Sequence, residues 1–306
     1  MNELALRASV GTSRRRLSGI QRAERLQTAT FFYPAFLLVA VVSFFPLFYA
    51  IRQSLHAADY LELGAFVGFE NYVELFASGG GLWFVAASIL FVSGTLVVSV
   101  PVGVGLALLL SRPIRFRSFF RAVLMFPWVV SHIVTGFLWV WFFDGRLGPI
   151  SAILRPLGMT FVSPLTDPAL AMAGVVIANS WHSYPLIMVF TLAALQTVPQ
   201  EVQEAARIEA RSNWQSFYRV TLPLIRNTLL VAVVLTGLHT FNNVTLVIAM
   251  TGGGPVGATD VLGIRVFKEA FQFYNMDIAT TLAVVIFALN IVFSFLFMRT
   301  LRGERE

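Results

Sequence analysis

Apolar positions along this chain do not alternate as they would in a half-buried strand, nor recur every third or fourth residue as on a surface helix; they run on unbroken. Six stretches are free of Asp, Glu, Lys and Arg: Phe31 to Ile51, Leu82 to Leu110, Ala122 to Phe143, Ala169 to Leu195, Leu229 to Met250 and Ile278 to Met298. A bilayer core about 30 Å thick is crossed by about 20 apolar residues in a helix, so each stretch predicts one span. The pattern therefore predicts an all-α, polytopic membrane protein with six transmembrane helices. The first stretch follows basic residues, as a signal peptide would, but it exceeds the length of such a core and no cleavage site follows, so it is expected to be retained.

Composition agrees. Of 306 residues, 57% are hydrophobic and 12% charged, where a soluble domain carries roughly 25% charge. There is no cysteine, which excludes disulfides, thiolate zinc sites and thiol catalysis. The net charge of +6 raises the question of nucleic acid. Placement answers it: 17 basic residues fall before the first span, in alternate loops and in the tail, and only 5 in the other loops. The positive-inside rule then puts both termini in the cytoplasm, and topology accounts for the charge with no nucleic acid required. Residues 1–30 are expected to be a cytoplasmic arginine-rich arm, with Arg14, Arg15 and Arg16 near anionic lipid. Residues 31–300 form the membrane domain and 301–306 a cytoplasmic tail.

Between the fourth and fifth spans lie residues 196–228, too many for a bare bundle connection. Thr197 followed by Gln200 reads as a capping box with Pro199 in the first turn, and Ser212 with Gln215 reads as a second. Pro223 predicts a stop at Leu222. The loop is thus expected to hold a helix, a corner near Arg211 to Asn213 and another helix. Val202, Ala206 and Ala210, with Ala205 beside them, make one face nearly flat, flanked by Glu204 and Arg207. Such a face suits docking of another protein; an interfacial helix lying on the bilayer is the other reading, and spacing alone does not separate them.

The stretch Glu204-Ala205-Ala206-Arg207-Ile208-Glu209-Ala210, with Phe217 and Leu222-Pro223-Leu224, resembles the Glu-Ala-Ala loop of ATP-binding-cassette importer permeases. That pattern runs Glu-Ala-Ala-x-x-Asp-Gly-Ala, from which Glu209, Ala210 and Arg211 depart. Tyr33-Pro34, Phe126-Pro127-Trp128, Leu138-Trp139-Val140-Trp141 with Gly145, and Thr251-Gly252-Gly253-Gly254-Pro255 are similar to elements of the maltose-type and glycerol-phosphate-type branch. The resemblance covers residues 31 to 300. It implies a cytoplasmic coupling helix that fits a cleft in an ATPase subunit, with Glu204 making a polar contact, Ala205 and Ala206 permitting close packing, and Arg207 and Ala210 completing the docking surface. It further implies a bacterial inner-membrane location and four partners besides lipid: a second permease subunit, two ATPase subunits and an external solute-binding protein.

The energy source is not expected in this chain. A phosphate-binding loop needs Gly-Lys followed by Ser or Thr, and the only lysine, Lys268, follows Phe267. No cofactor is expected here, ATP and magnesium belonging to partner subunits, and neither paired carboxylates nor metal-ligand spacing marks an enzyme or a metal site. Gly252 to Gly254 read as a helix break and turn before Pro255.

Within the spans, Asn179, His182 and Ser183 share one helical face near the middle of the fourth run, with Pro185 predicting a break. Thr236, His239, Thr240 and Asn243 repeat the pattern in the fifth. These two stripes are candidates for the substrate pathway, and helix-to-helix hydrogen bonding is their other use. Amides, hydroxyls and imidazoles without fixed charge suit a neutral polyhydroxylated solute better than an ion. Trp181 and Tyr184 offer faces for sugar rings, and His132 and Thr135 of the third run are further candidates. The expected function is therefore half of a translocation pathway for a sugar or related solute. Alternatives from other classes are a proton-coupled carrier using His132, His182 and His239, an importer of a glycerol-phosphate compound, and a membrane scaffold without transport.

Overall fold

The computed structural model describes residue 30, residues 32–59, 62–77, 79–210 and 212–302. The expected N-terminal arm, Arg211 and the last four residues lie outside the described residues. The chain divides into two units, Met1–Arg52 and Gln53–Glu306. In the first, helix α1 (Phe32–Ser54) begins the span predicted from the first apolar run, and none of its most apolar window is buried within the protein.

The second unit takes up the end of that helix and opens with a small hairpin that hydropathy did not predict, β1 (His56–Asp59) antiparallel to β2 (Glu62–Phe66). Asn71 fastens it from α2 (Glu70–Ala77), its amide donating to the carbonyls of Ser54 and His56 at 2.9 Å each. Then come α3 (Gly80–Ser111), α4 (Arg117–Val129), α5 (His132–Phe142) and the short α6 (Pro149–Leu154). The long α7 (Ala171–Thr197) leads into α8 (Gln200–Glu209). The rest is α9 (Asn213–Ser216), α10 (Leu222–Phe241), α11 (Thr245–Met250), α12 (Leu262–Lys268) and α13 (Met276–Arg302). Among the described residues, five helical runs are long and apolar enough to cross a membrane, and α4 with α5 make a sixth only as a bent pair.

That bent pair corrects the first expectation. The run Ala122 to Phe143 is not one straight span: α4 and α5 meet at 99°. Val130 is extended, and Ser131 caps α5 by accepting from the Val134 amide at 3.5 Å. The fifth run, Leu229 to Met250, is likewise split, with α10 ending at Phe241 and α11 resuming at Thr245. Pro185, by contrast, breaks nothing. α7 stays helical through it because α3, α4 and α10 pack around this helix and bury both Tyr184 and Pro185. Proline is tolerated in a span when neighbours re-satisfy the freed carbonyl and hold the axis.

Pro223 also fails to stop its helix. A π-helical turn, Phe217–Thr221, precedes it and joins α9 to α10 in one run from Trp214 to Phe241. The wider turn accommodates a ring that would strike the carbonyl of Arg219 in a regular α-helix.

Two small-residue contacts set how closely the spans approach. A Cβ on Gly103 of α3 would come within 2.7 Å of Ile187 Cβ and 2.8 Å of the Tyr184 carbonyl on α7. One on Gly136 of α5 would meet Ala249 Cβ on α11 at 2.6 Å. Close backbone approach of this kind is the usual basis of helix packing in lipid, where burial of apolar surface gives no net drive. The turn expected at Gly252 to Gly254 is present, with φ of 58° and 92° at Gly252 and Gly253. Beneath it Asp260 pairs with Lys268 at 3.1 Å, and Arg265 with Glu269 at 2.5 Å.

Candidate functional site

Two regions hold the candidate residues: a polar layer halfway along the spans, and the segment joining α7 to α10. In the first, the two predicted stripes do meet. Asn179 on α7 donates through Nδ2 to Thr95 Oγ1 on α3 and to Thr240 Oγ1 on α10, both at 3.2 Å. Asn243, between α10 and α11, donates to Asn179 Oδ1 at 3.2 Å. Its own Oδ1 accepts from the Leu246 amide, in the first turn of α11, at 3.3 Å. Thr240 donates to the Thr236 carbonyl, and Thr236 to that of Ala232, each at 2.8 Å. Ser180 donates to the Thr95 carbonyl at 3.3 Å. Asn179, Thr95, Thr236 and Thr240 are all buried. This part of the stripes joins α3, α7, α10 and α11, which is the helix-to-helix use of such residues. Thr95, the partner from the second span, was not singled out from sequence, because a lone threonine in an apolar run carries no pattern.

The imidazoles behave differently. His132 opens α5 at the bend, and its ring centroid lies 3.9 Å from that of His182 and 5.2 Å from that of His239. His182 is only 3% exposed, and Ser183 beside it is also buried. His132 is partly exposed and His239 exposed, so the cluster runs from the protein surface inward. Three helices thus bring together residues that sequence spacing placed on separate faces. His132 Nε2 and His182 Nδ1 are buried without a hydrogen-bond partner, as are Thr135 Oγ1 and Trp139 Nε1. His132, Thr135 and Trp139 follow one another at i, i+3 and i+7, one face of α5. Trp139 stands edge-on to Trp181, centroids 6.1 Å apart. Tyr184 instead donates to the Leu124 carbonyl at 3.0 Å, and acts as a strut between α7 and α4.

In the second region, Thr197 does not form the predicted cap. Its hydroxyl donates back to the Ala194 carbonyl at 2.8 Å, ending α7, and Pro199 takes the N-cap position of α8. The second box forms in part, with the Gln215 amide donating to Ser212 Oγ at 3.2 Å. Along α8, Glu201, Glu204 and Ala205 are exposed, whereas Ala206 is 7% exposed and turns toward its own chain. The open surface of α8 therefore bears Glu204 and Ala205 together with Val202, and of the predicted Val202, Ala206 and Ala210 line Ala206 alone is buried. The Arg207 side chain lies outside the described residues. Ala210 ends the helix in extended geometry, φ −82° and ψ 134°, so an alanine fits where the related pattern has glycine. A recess of about 480 Å³ opens between the end of α7 and the start of α8, lined by Leu195 to Gln200 and by Glu204.

Residues 99–302 match the family described as "Binding-protein-dependent transport system inner membrane component". The trehalose/maltose transport system permease protein MalF of Thermococcus litoralis is 30% identical over 280 residues, 89% of this chain and 92% of that one. The sn-glycerol-3-phosphate transport system permease protein UgpA of Brucella abortus is 30% identical over 260 residues, 84% of this chain and 88% of the other. Among solved structures, a chain of the bacterial alginate ABC transporter in complex with an alginate pentasaccharide-bound periplasmic protein superposes with a TM-score of 0.78. It is 20% identical and covers 93% of this chain and 96% of its own, a likeness of fold. A matched region holding both the polar layer's α7 and α10 and the α8 segment identifies this chain as a member of the inner-membrane component family of binding-protein-dependent transport systems.

Proposed function

We propose that the chain is one permease subunit of an ATP-binding-cassette importer and forms half of the pathway for a sugar or related polyhydroxylated solute. The family membership carries this reading, and the names of its relatives, a trehalose/maltose and a glycerol-phosphate permease, favour a carbohydrate or its derivative. A second permease completes the pathway, two ATPase subunits supply the energy, and an external binding protein delivers the solute. Both termini and the 196–228 segment lie in the cytoplasm, as the distribution of basic residues requires. A proton-coupled carrier would need no binding protein, and membership in a binding-protein-dependent family weighs against it.

In this reading α8 is the handle the ATPase grips. Glu204 and Ala205 stand exposed beside the recess at the foot of α7, and the continuous run from Trp214 to Phe241 links the segment to His239. Movement of the ATPase subunits would then reach the polar layer as rigid-body motion of α7 and α10. Glu204→Lys is expected to abolish co-purification of the ATPase subunits and reduce uptake at least tenfold, with membrane insertion unchanged. Normal uptake with the ATPase still bound would remove the docking role. Ala205→Trp tests the same face by bulk alone, whereas a bulky residue at 206 would strike the chain itself.

A further inference from the structure

Arg117 and Arg121 stand at i and i+4 on α4, hence on one face of it, and the importer reading gives them no task. Leu124 and Met125, next along that face, pack against the core that Leu110 of α3, Leu192 and Leu195 of α7 and Ile225 of α10 help to form. The arginines therefore extend the packed face of α4 toward its start. Both residues are partly exposed, yet Nε of Arg117 and both Nε and Nη2 of Arg121 are buried with no hydrogen-bond partner. A guanidinium stays charged in a protein and only donates, so each of these N–H groups calls for an acceptor. The helices around them, α3, α4, α7 and α10, contain no Asp or Glu to supply one. Two like charges at this spacing also repel unless an anion lies between them.

Around the helix from the arginines, Phe120, Val123 and Phe119 are exposed in turn. An occupant must therefore bring an anionic acceptor to the guanidiniums and hydrocarbon to the side chains beside them. We propose that Arg117 and Arg121 bind the phosphate of an anionic phospholipid from the cytoplasmic leaflet, whose acyl chains lie along Phe120 and Val123. The proposal goes beyond the importer reading and needs only that the start of α4 meets the cytoplasmic face, where the distribution of basic residues places it. A phosphate offers several acceptor oxygens at once, and guanidinium forks meet them with paired N–H···O bonds. The exposed phenylalanines favour lipid over a free phosphate or a soluble protein, neither of which covers them with hydrocarbon. Arg112 and Arg115, in the turn before α4, differ: both are exposed, and Arg115 lies over the Phe116 ring, 5.6 Å from its centroid. They add diffuse positive charge, whereas the pair on the helix makes a defined site.

The test uses the full chain in its assembled complex, held in phosphatidylcholine nanodiscs and titrated with a photoactivatable phosphatidylglycerol. The label is expected to crosslink saturably to α4, and Arg117→Gln with Arg121→Gln to weaken its binding about thirtyfold, either change alone about fivefold. Arg112→Gln with Arg115→Gln removes the same charge from the turn and should leave affinity within about twofold. Equal losses from the two pairs overturn the site in favour of diffuse attraction. Should the Gln pair fail to assemble, Arg117→Lys with Arg121→Lys decides, since it keeps the charge and lacks the Nε donor: a loss of about fivefold supports the site, and unchanged affinity overturns it. Equal binding of phosphatidylcholine bearing the same label, or displacement of the label by inorganic phosphate, overturns the anionic lipid. Release of the ATPase subunits from the Gln pair with the label still bound assigns the arginines to the ATPase and likewise overturns it.

Discussion

Asn179 and His182 lie one turn apart on α7 and are almost equally buried, at 1% and 3% exposure, yet their surroundings treat them in opposite ways. Asn179 sits at the centre of a knot in which every amide and hydroxyl contact is accounted for, joining α3, α7, α10 and α11. His182 faces a bend where polar atoms from α5 and α7 end without partners. A buried polar group that is satisfied holds helices together. One that is not satisfied weakens the fold unless something else comes to meet it. Burial and polarity alone do not separate structure from function within a membrane span; the completeness of the hydrogen bonding does.

The largest effect is expected from Asn179→Leu, which leaves Thr95, Thr240 and Asn243 short of a partner and should lower stability by about 3 kcal/mol in a detergent unfolding series. Gly103→Leu attacks the same α3–α7 contact by bulk, and about 2 kcal/mol of loss is expected on the same assay, since backbone as well as side chain stands in the way. Thr240→Val keeps the shape and deletes one hydroxyl of the knot, for about 1 kcal/mol. His182→Leu should change stability least, by less than about 1 kcal/mol, because only its contact with the Pro127 backbone is lost and Nδ1 has no partner to lose, while solute uptake falls. A loss at His182 as large as that at Asn179 would erase the distinction between the two regions. Conversely, uptake that is more sensitive to Thr240→Val than to His182→Leu would move the pathway into the knot.

Much of this was legible beforehand. Six apolar runs were visible because lipid tolerates little charge, and the segment after α7 was recognisable from Glu204, Ala205 and Ala206 in their spacing. The stripes Asn179–Ser183 and Thr236–Asn243 were correctly set at one depth, since helical spacing fixes which residues share a face. Which of them pair was not legible. Asn179 could have turned toward a solute as readily as toward Thr95, and the choice follows from the rotation of α3 against α7 set by Gly103 and its neighbours. Nor was it legible that the ring of His132 lies 3.9 Å from that of His182, since the two residues belong to different helices.

Proline placement makes the same point. Pro101, Pro127 and Pro185 all lie inside helices, and the bend comes at Val130–Ser131 instead. A proline ring removes one donor and crowds one carbonyl wherever it occurs, so its sequence signal is the same in each case. Whether the axis turns depends on what is packed alongside, and that is a property of the assembled bundle.

The amino-acid order by itself determined that this chain crosses a membrane repeatedly, which loops carry the positive charge, and which polar residues share a helical face, because these follow from local transfer energies and from the pitch of a single helix. Only the tertiary structure decided that the third span bends, that Ala206 turns inward while Ala205 stays open, and that three imidazoles from three helices converge beside a fully bonded asparagine knot. Those outcomes depend on contacts between residues far apart in the chain, whose relative rotation no local pattern encodes.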